Sequence, residues 1–360
     1  MDDTTILGGQ TLSLGDGLQI TFHRTLRIPD DGKRYPLPPS LGAFPLRRVA
    51  DYASKVPDGW AEQGGVFLPM YQREAMWLSF SGVPHALKIG IGKVCAISGE
   101  RWREGLVDDP QNYFVTGNQP WIDGIASGKG TIRQFVAMPL GMGYTVEGQV
   151  TGEEKFGGVQ LQGYPAKPGR GPKAPRVRAE CLEEECAPGD YFALGAPAIP
   201  PPACAPAAGP YRASACAPAP QGAKRSRAGS MGLAAGGRME QKIYPDAFGL
   251  DTWDQSVRRR VFVHIVNSEL WREITGEEPP TSPVTAKSYA AAGLPWFALY
   301  DEHAPTIDPV STLAQVKSVK QIDENKSTMP LQDDDPVHPG FVKKLWKKLA
   351  GGVRVDDGEW

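Results

Sequence analysis

The sequence is poor in cysteine, balanced in charge and without a long apolar run, and each lack excludes a class of protein. Its five Cys are odd in number, and four of them (Cys181, Cys186, Cys204 and Cys216) fall in one low-complexity stretch. A disulfide framework is therefore not expected, and a reducing compartment fits better. The four thiols have irregular spacing and no turn chemistry to converge them, so no metal site is expected either. With 39 Lys and Arg against 41 Asp and Glu, the net charge of -2 gives no global field for nucleic acid, and none is expected as a partner. The best apolar run, Val261 to Val266, is broken by His264 and falls far short of the roughly 20 residues that span a bilayer. Asp2 and Asp3 stand where a secretory signal would carry basic residues, so a cytoplasmic location is the expectation.

The familiar catalytic signatures are also missing. Gly90-Ile91-Gly92 begins like a dinucleotide loop, but Cys95 occupies the third glycine position. Gly128-Lys129-Gly130 lacks the upstream glycine and the hydroxyl residue of a phosphate loop. There is no Gly-x-Ser-x-Gly elbow and no His-Glu-x-x-His pair. No cofactor is expected.

What the sequence has in quantity is punctuation: 42 Gly and 34 Pro, about a fifth of its 360 residues. Much of the proline lies between residues 166 and 230, a Pro/Ala/Gly-rich segment with few apolar side chains at any period. Such a segment cannot bury enough apolar surface to offset an ordering cost of about 1–2 kcal/mol per residue, and a disordered insert is expected there. Its basic flanks, with Arg170 and Lys173 on one side and Arg225 and Arg227 on the other, read as solvated linker charge.

Before the insert the pattern is that of strands. Leu87, Ile89 and Ile91 alternate with Lys88, Gly90 and Gly92, which puts three aliphatics on one face of a sheet. Thr11 to Phe22, Val66 to Tyr71, Met76 to Phe80, Ile132 to Met138, Tyr144 to Thr151 and Val159 to Tyr164 are further short segments of this kind, and Leu46 to Lys55 fits one helix. After the insert, Arg260 to Val266 is apolar on both faces, as in a covered central strand. Ser282-Pro283 and Gly293 with Pro295 delimit a helix over Pro283 to Ala292. Such a central strand needs neighbours from before the insert. The expected fold is mainly β (α+β), a sandwich or barrel-like body with a few short helices, formed as one discontinuous domain by residues 1–165 and 231–305. Residues 306–360 form a C-terminal tail, in which Val310, Leu313, Val316 and Val319 predict a weak amphipathic helix. A second helix sets Phe341, Leu345 and Trp346 opposite Lys343, Lys344, Lys347 and Lys348, a pattern suited to a protein partner or an anionic membrane surface.

Two sets of residues are candidates for chemistry. His264 and His85, with Glu74, Glu147 or Asp254, offer imidazole–carboxylate pairings for general acid–base work. Tyr71, Trp77, Trp121 and Asp123 mix aromatic faces with hydrogen-bonding groups, as in a sugar or peptide groove.

The segments "FLPMYQREAMWLSF", "RQFVAMPLGMGYTVEGQVTGEE", "RVFVHIVNSELWREITGEEPPTSPVTAKSY" and "GLPWFALYDE" resemble an uncharacterised family of bacterial and fungal hypothetical proteins. The resemblance implies no activity; it supports the division of the chain, since the shared segments stop before the insert and resume after it. The leading expectation is a non-enzymatic interaction module with an aromatic-lined groove and protein partners. The alternatives are a hydrolase-like enzyme using a His/carboxylate site and a structural subunit of a larger assembly.

Overall fold

The computed structural model describes residues 4–172, 229–257, 259–283, 305–307 and 311–326, and the backbone alone of the strands Trp296–Ala298 and Val342–Lys344. Of the insert expected over residues 166–230, residues 173–228 lie outside the described residues, as do residues 284–292 of the expected helix; its two ends belong to the body instead, since Ala166 bridges Trp253, the Lys167 N–H donates to Thr252 O, and the buried Ser230 opens the strand Ser230–Glu240.

The protein is mainly β, and among the described residues seventeen strands form one mostly antiparallel hydrogen-bonded sheet. Its hydrogen-bonded neighbours form a closed path. His85–Ile91 pairs with Val159–Pro165, which pairs with Arg259–Asn267 and, through it, reaches Ser230–Glu240. Ser230–Glu240 pairs with Thr131–Pro139, which pairs with Gly124–Gly128. From there the Ala126 N–H donates to Ala96 O and the Ala96 N–H to Ile89 O, returning the path to its start. The body is thus barrel-like, and strands from both sides of the insert alternate within it.

A branch leaves this ring where Ala75–Gly82 pairs with Thr131–Pro139 at Met76↔Phe135. Ala75–Gly82 carries Leu18–Thr25, then Thr11–Ser13, then Thr5–Leu7 along its free side. The expected strand over Thr11 to Phe22 is two strands, because Gly15, Asp16 and Gly17 all adopt positive φ and reverse the chain. Alternation places Leu18, Ile20 and Phe22 with Met76, Leu78 and Phe80 in the same interior as Leu87, Ile89, Ile91, Val261, Val263 and Ile265. At about 1.5–3 kcal/mol for each large side chain fully buried, this shared interior is the main stabilising term.

The outer faces are finished in different ways. Helices Asp58–Gln63 and Ser268–Thr275 bring Trp60, Trp271 and Ile274 onto Phe67 and Val266. Helix Val319–Asn325 lays Val319 and Ile322 on Val136, Met138 and Ala234. Its Asp323 accepts from both Arg73 terminal nitrogens at 2.7 and 3.0 Å and from the Tyr144 hydroxyl at 2.8 Å. Residues 311–326, read from the sequence as tail, therefore belong to the packed body. Leu313, Val316 and Val319 are buried there, but Leu313 and Val319 lie in separate helices, Ser311–Ala314 and Val319–Asn325, with Val316 in the connection between them, because Ser318 caps the second helix with a reciprocal bond to Gln321; Val310 lies outside the described residues.

Three further expectations differ from the structure. Tyr144 to Thr151, read as a strand, is the helix Val146–Thr151, whose start is capped where the Thr145 hydroxyl accepts from the Gly148 N–H. Leu46 to Lys55 is a strand at Arg47–Arg48 and a single tight helical turn at Val49–Tyr52, because Arg47 and Arg48 pair with Phe67 and Val66. Val342–Lys344 is a strand parallel to Trp296–Ala298. A helix of roughly ten residues is marginal in water, whereas pairing shares backbone bonds between two segments. Phe341, Leu345, Trp346, Lys347 and Lys348 lie outside the described residues. Among the described residues no helix is long and apolar enough to cross a membrane.

Candidate recognition face

The imidazoles and carboxylates proposed for acid–base chemistry are held apart by separate hydrogen-bond partners. His264 sits on the outer side of its strand, where its Nε2 meets Gly64 O at 2.9 Å and its ring stacks on Trp60 with centroids 4.7 Å apart. Burial holds its imidazole down to about 4, against the opposing Gly64 bond, so the ring is neutral at pH 7. His85 is buried, with Nδ1 on Val83 O at 2.9 Å, and burial lowers its pKa as well. Glu74 accepts from Arg24 Nε at 2.7 Å and from the Tyr71 N–H at 2.8 Å; burial raises its pKa against that ion pair. Glu147 caps three backbone N–H groups, of Lys93, Phe156 and Gly157, and burial again raises its pKa. Asp254 lies in an exposed turn and accepts from Ser256. None of the hydrogen bonds among the described residues joins His264 or His85 to any of these carboxylates.

The aromatic candidates come together in part. Tyr71 belongs to the Arg24–Glu74 cluster and donates its hydroxyl to Pro280 O at 2.9 Å. Trp77, Trp121 and Asp123 share the outer side of the branch, and the register of the strands explains how. Leu7 pairs with Thr11, Thr11 with Thr21, Thr21 with Ser79, and Ser79 with Trp121, so one row of side chains crosses five strands. A second row runs Ala43, His23, Trp77. A third runs Thr5, Ser13, Gln19, Ser81. Since alternate residues face opposite sides, the apolar partners of these rows fill the interior and the hydroxyls, His23 and two indoles face outward.

His23 ties the rows together. Its Nε2 lies 2.8 Å from Ser79 Oγ and its Nδ1 3.1 Å from Ser40 Oγ, while its ring stacks on Trp77 with centroids 3.9 Å apart and planes 10° apart. Burial holds the imidazole down to about 4, so it serves as a neutral donor and acceptor. Thr11 and Thr21 hydroxyls lie 2.9 Å apart. Trp77 Nε1 is buried without an acceptor among the described residues. At the far end, Asp123 is fully enclosed: its backbone N–H donates to Gln241 Oε1 at 3.0 Å and its Oδ2 accepts from Gln241 Nε2 at 2.8 Å. Burial pushes this carboxyl up to about 7, against the pull of Gln241 and Trp121.

Only one charged residue, Arg24, falls within the five strands, and it turns to Glu74 and the Phe44 ring. The face can therefore offer hydroxyls, amide groups, indole faces and a neutral imidazole, without a fixed charge. Sequence reasoning singled out Trp77 and Trp121 but missed His23, Thr11, Thr21 and Ser79. The alternation Gln19-Ile20-Thr21-Phe22-His23 was the available signal. Among the described residues, no three His, Cys, Asp or Glu side chains group so as to hold a metal ion. Cys95 is buried and free; the other four cysteines lie outside the described residues.

No family model matches the sequence, and neither the curated proteins nor the solved structures give a match.

Proposed function

We propose that the chain is a non-enzymatic binding module whose recognition surface is the outer face of Thr5–Leu7, Thr11–Ser13, Leu18–Thr25, Ala75–Gly82 and Trp121–Ile122. The observation that carries the reading is the pair of cross-strand rows, Leu7 to Trp121 and Ala43 to Trp77, in which half-buried aromatics stand in register with the half-buried Thr11 and Thr21 and the buried Ser79. Aromatic side chains supply contact area at low entropic cost, and hydroxyls orient a ligand without the desolvation cost of a charge. Protein partners or an anionic membrane meeting Lys343, Lys344, Lys347 and Lys348 rest on residues whose side chains lie outside the described structure.

Indole resonances of isotope-labelled full-length protein test the reading. Ligand panels of oligosaccharides, neutral peptides and charged peptides are added in turn. Shifts at Trp77 and Trp121, with Trp60, Trp253 and Trp271 unmoved, are the expected result. Shifts confined to those three buried residues, or none with any panel, would remove this face as the binding surface.

A further inference from the structure

We infer that the ligand of this face is an uncharged oligosaccharide, an assignment that rests on reading the face as a binding surface. Charge gives the first argument. Among the described residues of the three rows no side chain is ionised at pH 7, because burial keeps His23 neutral. An anionic or cationic ligand pressed onto the face would lose hydration without meeting an opposite charge.

Hydrogen-bonding capacity gives the second. Each Ser and Thr hydroxyl both donates and accepts. The hydroxyls already bonded to His23 or to one another, Ser79, Ser40, Thr11 and Thr21, keep lone pairs to offer. A sugar hydroxyl has the same dual character, so a hydroxyl row and a polyol can exchange bonds in several registers.

Shape gives the third. Trp77, with one ring face stacked on His23, and Trp121, packed on one side against the cluster of Leu26, Ile28 and Leu37, flank the hydroxyls on a sheet, where the apolar C–H face of a pyranose ring can lie on the indole surface left exposed while its edge reaches the hydroxyls. Successive strands stand about 4.8 Å apart, so the row from Leu7 to Trp121 is roughly 19 Å wide. That width suits a chain of sugars better than a single one. A peptide that adds to a sheet edge uses backbone groups and pockets for alternate side chains, whereas this face presents side-chain hydroxyls from the middle of paired strands.

The test titrates the full-length protein with neutral glucan, mannan and chitin tetrasaccharides, with an oligogalacturonate and with a neutral decapeptide, by calorimetry and indole resonances. Binding of a neutral oligosaccharide with shifts at Trp77 and Trp121 is expected, weakened about tenfold or more in Trp77→Ala. Thr21→Lys, at a half-buried position in the middle of the face, is expected to abolish it while leaving the melting temperature near that of the parent. Shifts at both indoles with the decapeptide but with no saccharide would overturn the carbohydrate assignment and leave the binding face standing. Binding of oligogalacturonate alone would overturn it too. Saccharide binding that survives both substitutions would place the sugar elsewhere and equally refute the assignment.

Discussion

Replacing Asp123 by Asn tests the electrostatics beside Trp121 without disturbing its packing. The Asn side chain keeps an oxygen for Gln241 Nε2, which bonds Asp123 Oδ2 at 2.8 Å. In the folded protein burial pushes the carboxyl from an ordinary 3.8 up to about 7. At about 1.4 kcal/mol for each tenfold change in proton affinity, that rise corresponds to about 4 kcal/mol, the upper limit for a fully buried group. The sign follows from proton linkage. Below about pH 4 the carboxyl is protonated in both folded and unfolded chains, and the folded state keeps its full stability. Between pH 4 and 7 the unfolded chain releases the proton while the folded one retains it, so stability falls as pH rises, and above 7 it levels off. The wild-type profile alone hides this loss. His23 and His264 are both held down to about 4 from 6.5, so the unfolded chain binds their protons in nearly the same window and stability rises with pH on their account. The difference between Asp123→Asn and wild type cancels the histidines. Urea unfolding followed by tryptophan fluorescence at several pH values from 4 to 8.5 should show the variant gaining about 4 kcal/mol relative to wild type across that range. A difference that stays flat to within about 1 kcal/mol would mean that Asp123 is ionised in the folded state, and the burial argument would be refuted.

Other substitutions probe the body. Asp323→Ala leaves Arg73 without its carboxylate and frees the helix Val319–Asn325; breaking such a buried pair should cost about 3–5 kcal/mol, read as a lower urea midpoint with faster amide exchange in residues 319–325. Lys88 is buried and donates to Arg103 O and Gly105 O at 2.6 Å each, with the Trp102 ring 4.6 Å away. Lys88→Met keeps the apolar stem and removes both tethers, so a loss of about 2 kcal/mol and greater protease cleavage near Arg103 are expected. Trp60→Ala uncovers His264 and should destabilise by about 3–5 kcal/mol, with the His264 titration midpoint moving upward from about 4 in ring-proton spectra.

Local patterns carried much of the fold. The alternation at Leu87, Ile89 and Ile91, and the doubly apolar run ending at Val266, identified strands because side chains on a strand repeat every two residues. The capacity of residues 1–165 and 231–305 to form one body followed from a central strand that needed neighbours, and Arg259–Asn267 does pair with Val159–Pro165 and Val66–Met70. Where local propensity competed with long-range pairing, pairing won: Arg47 and Arg48 joined the edge of Val66–Met70 instead of starting a helix.

The candidate face was half legible. Trp77 and Trp121 were conspicuous as single residues, whereas the alternation that leaves Gln19, Thr21 and His23 opposite Leu18, Ile20 and Phe22 was passed over within a segment read only as one strand. That His23 stacks on Trp77, that Ser79 stands between Thr21 and Trp121, and that His264 lies against Trp60 instead are consequences of register between segments distant in sequence. By itself the sequence determined the class of fold and the apolar side of an alternating strand such as His85–Ile91, because these depend on residue type and period. Only the tertiary structure decided which strands lie side by side, and hence which hydroxyls, imidazole and indoles meet. Neighbours in a sheet are chosen by the summed burial of the whole interior, which no local stretch encodes.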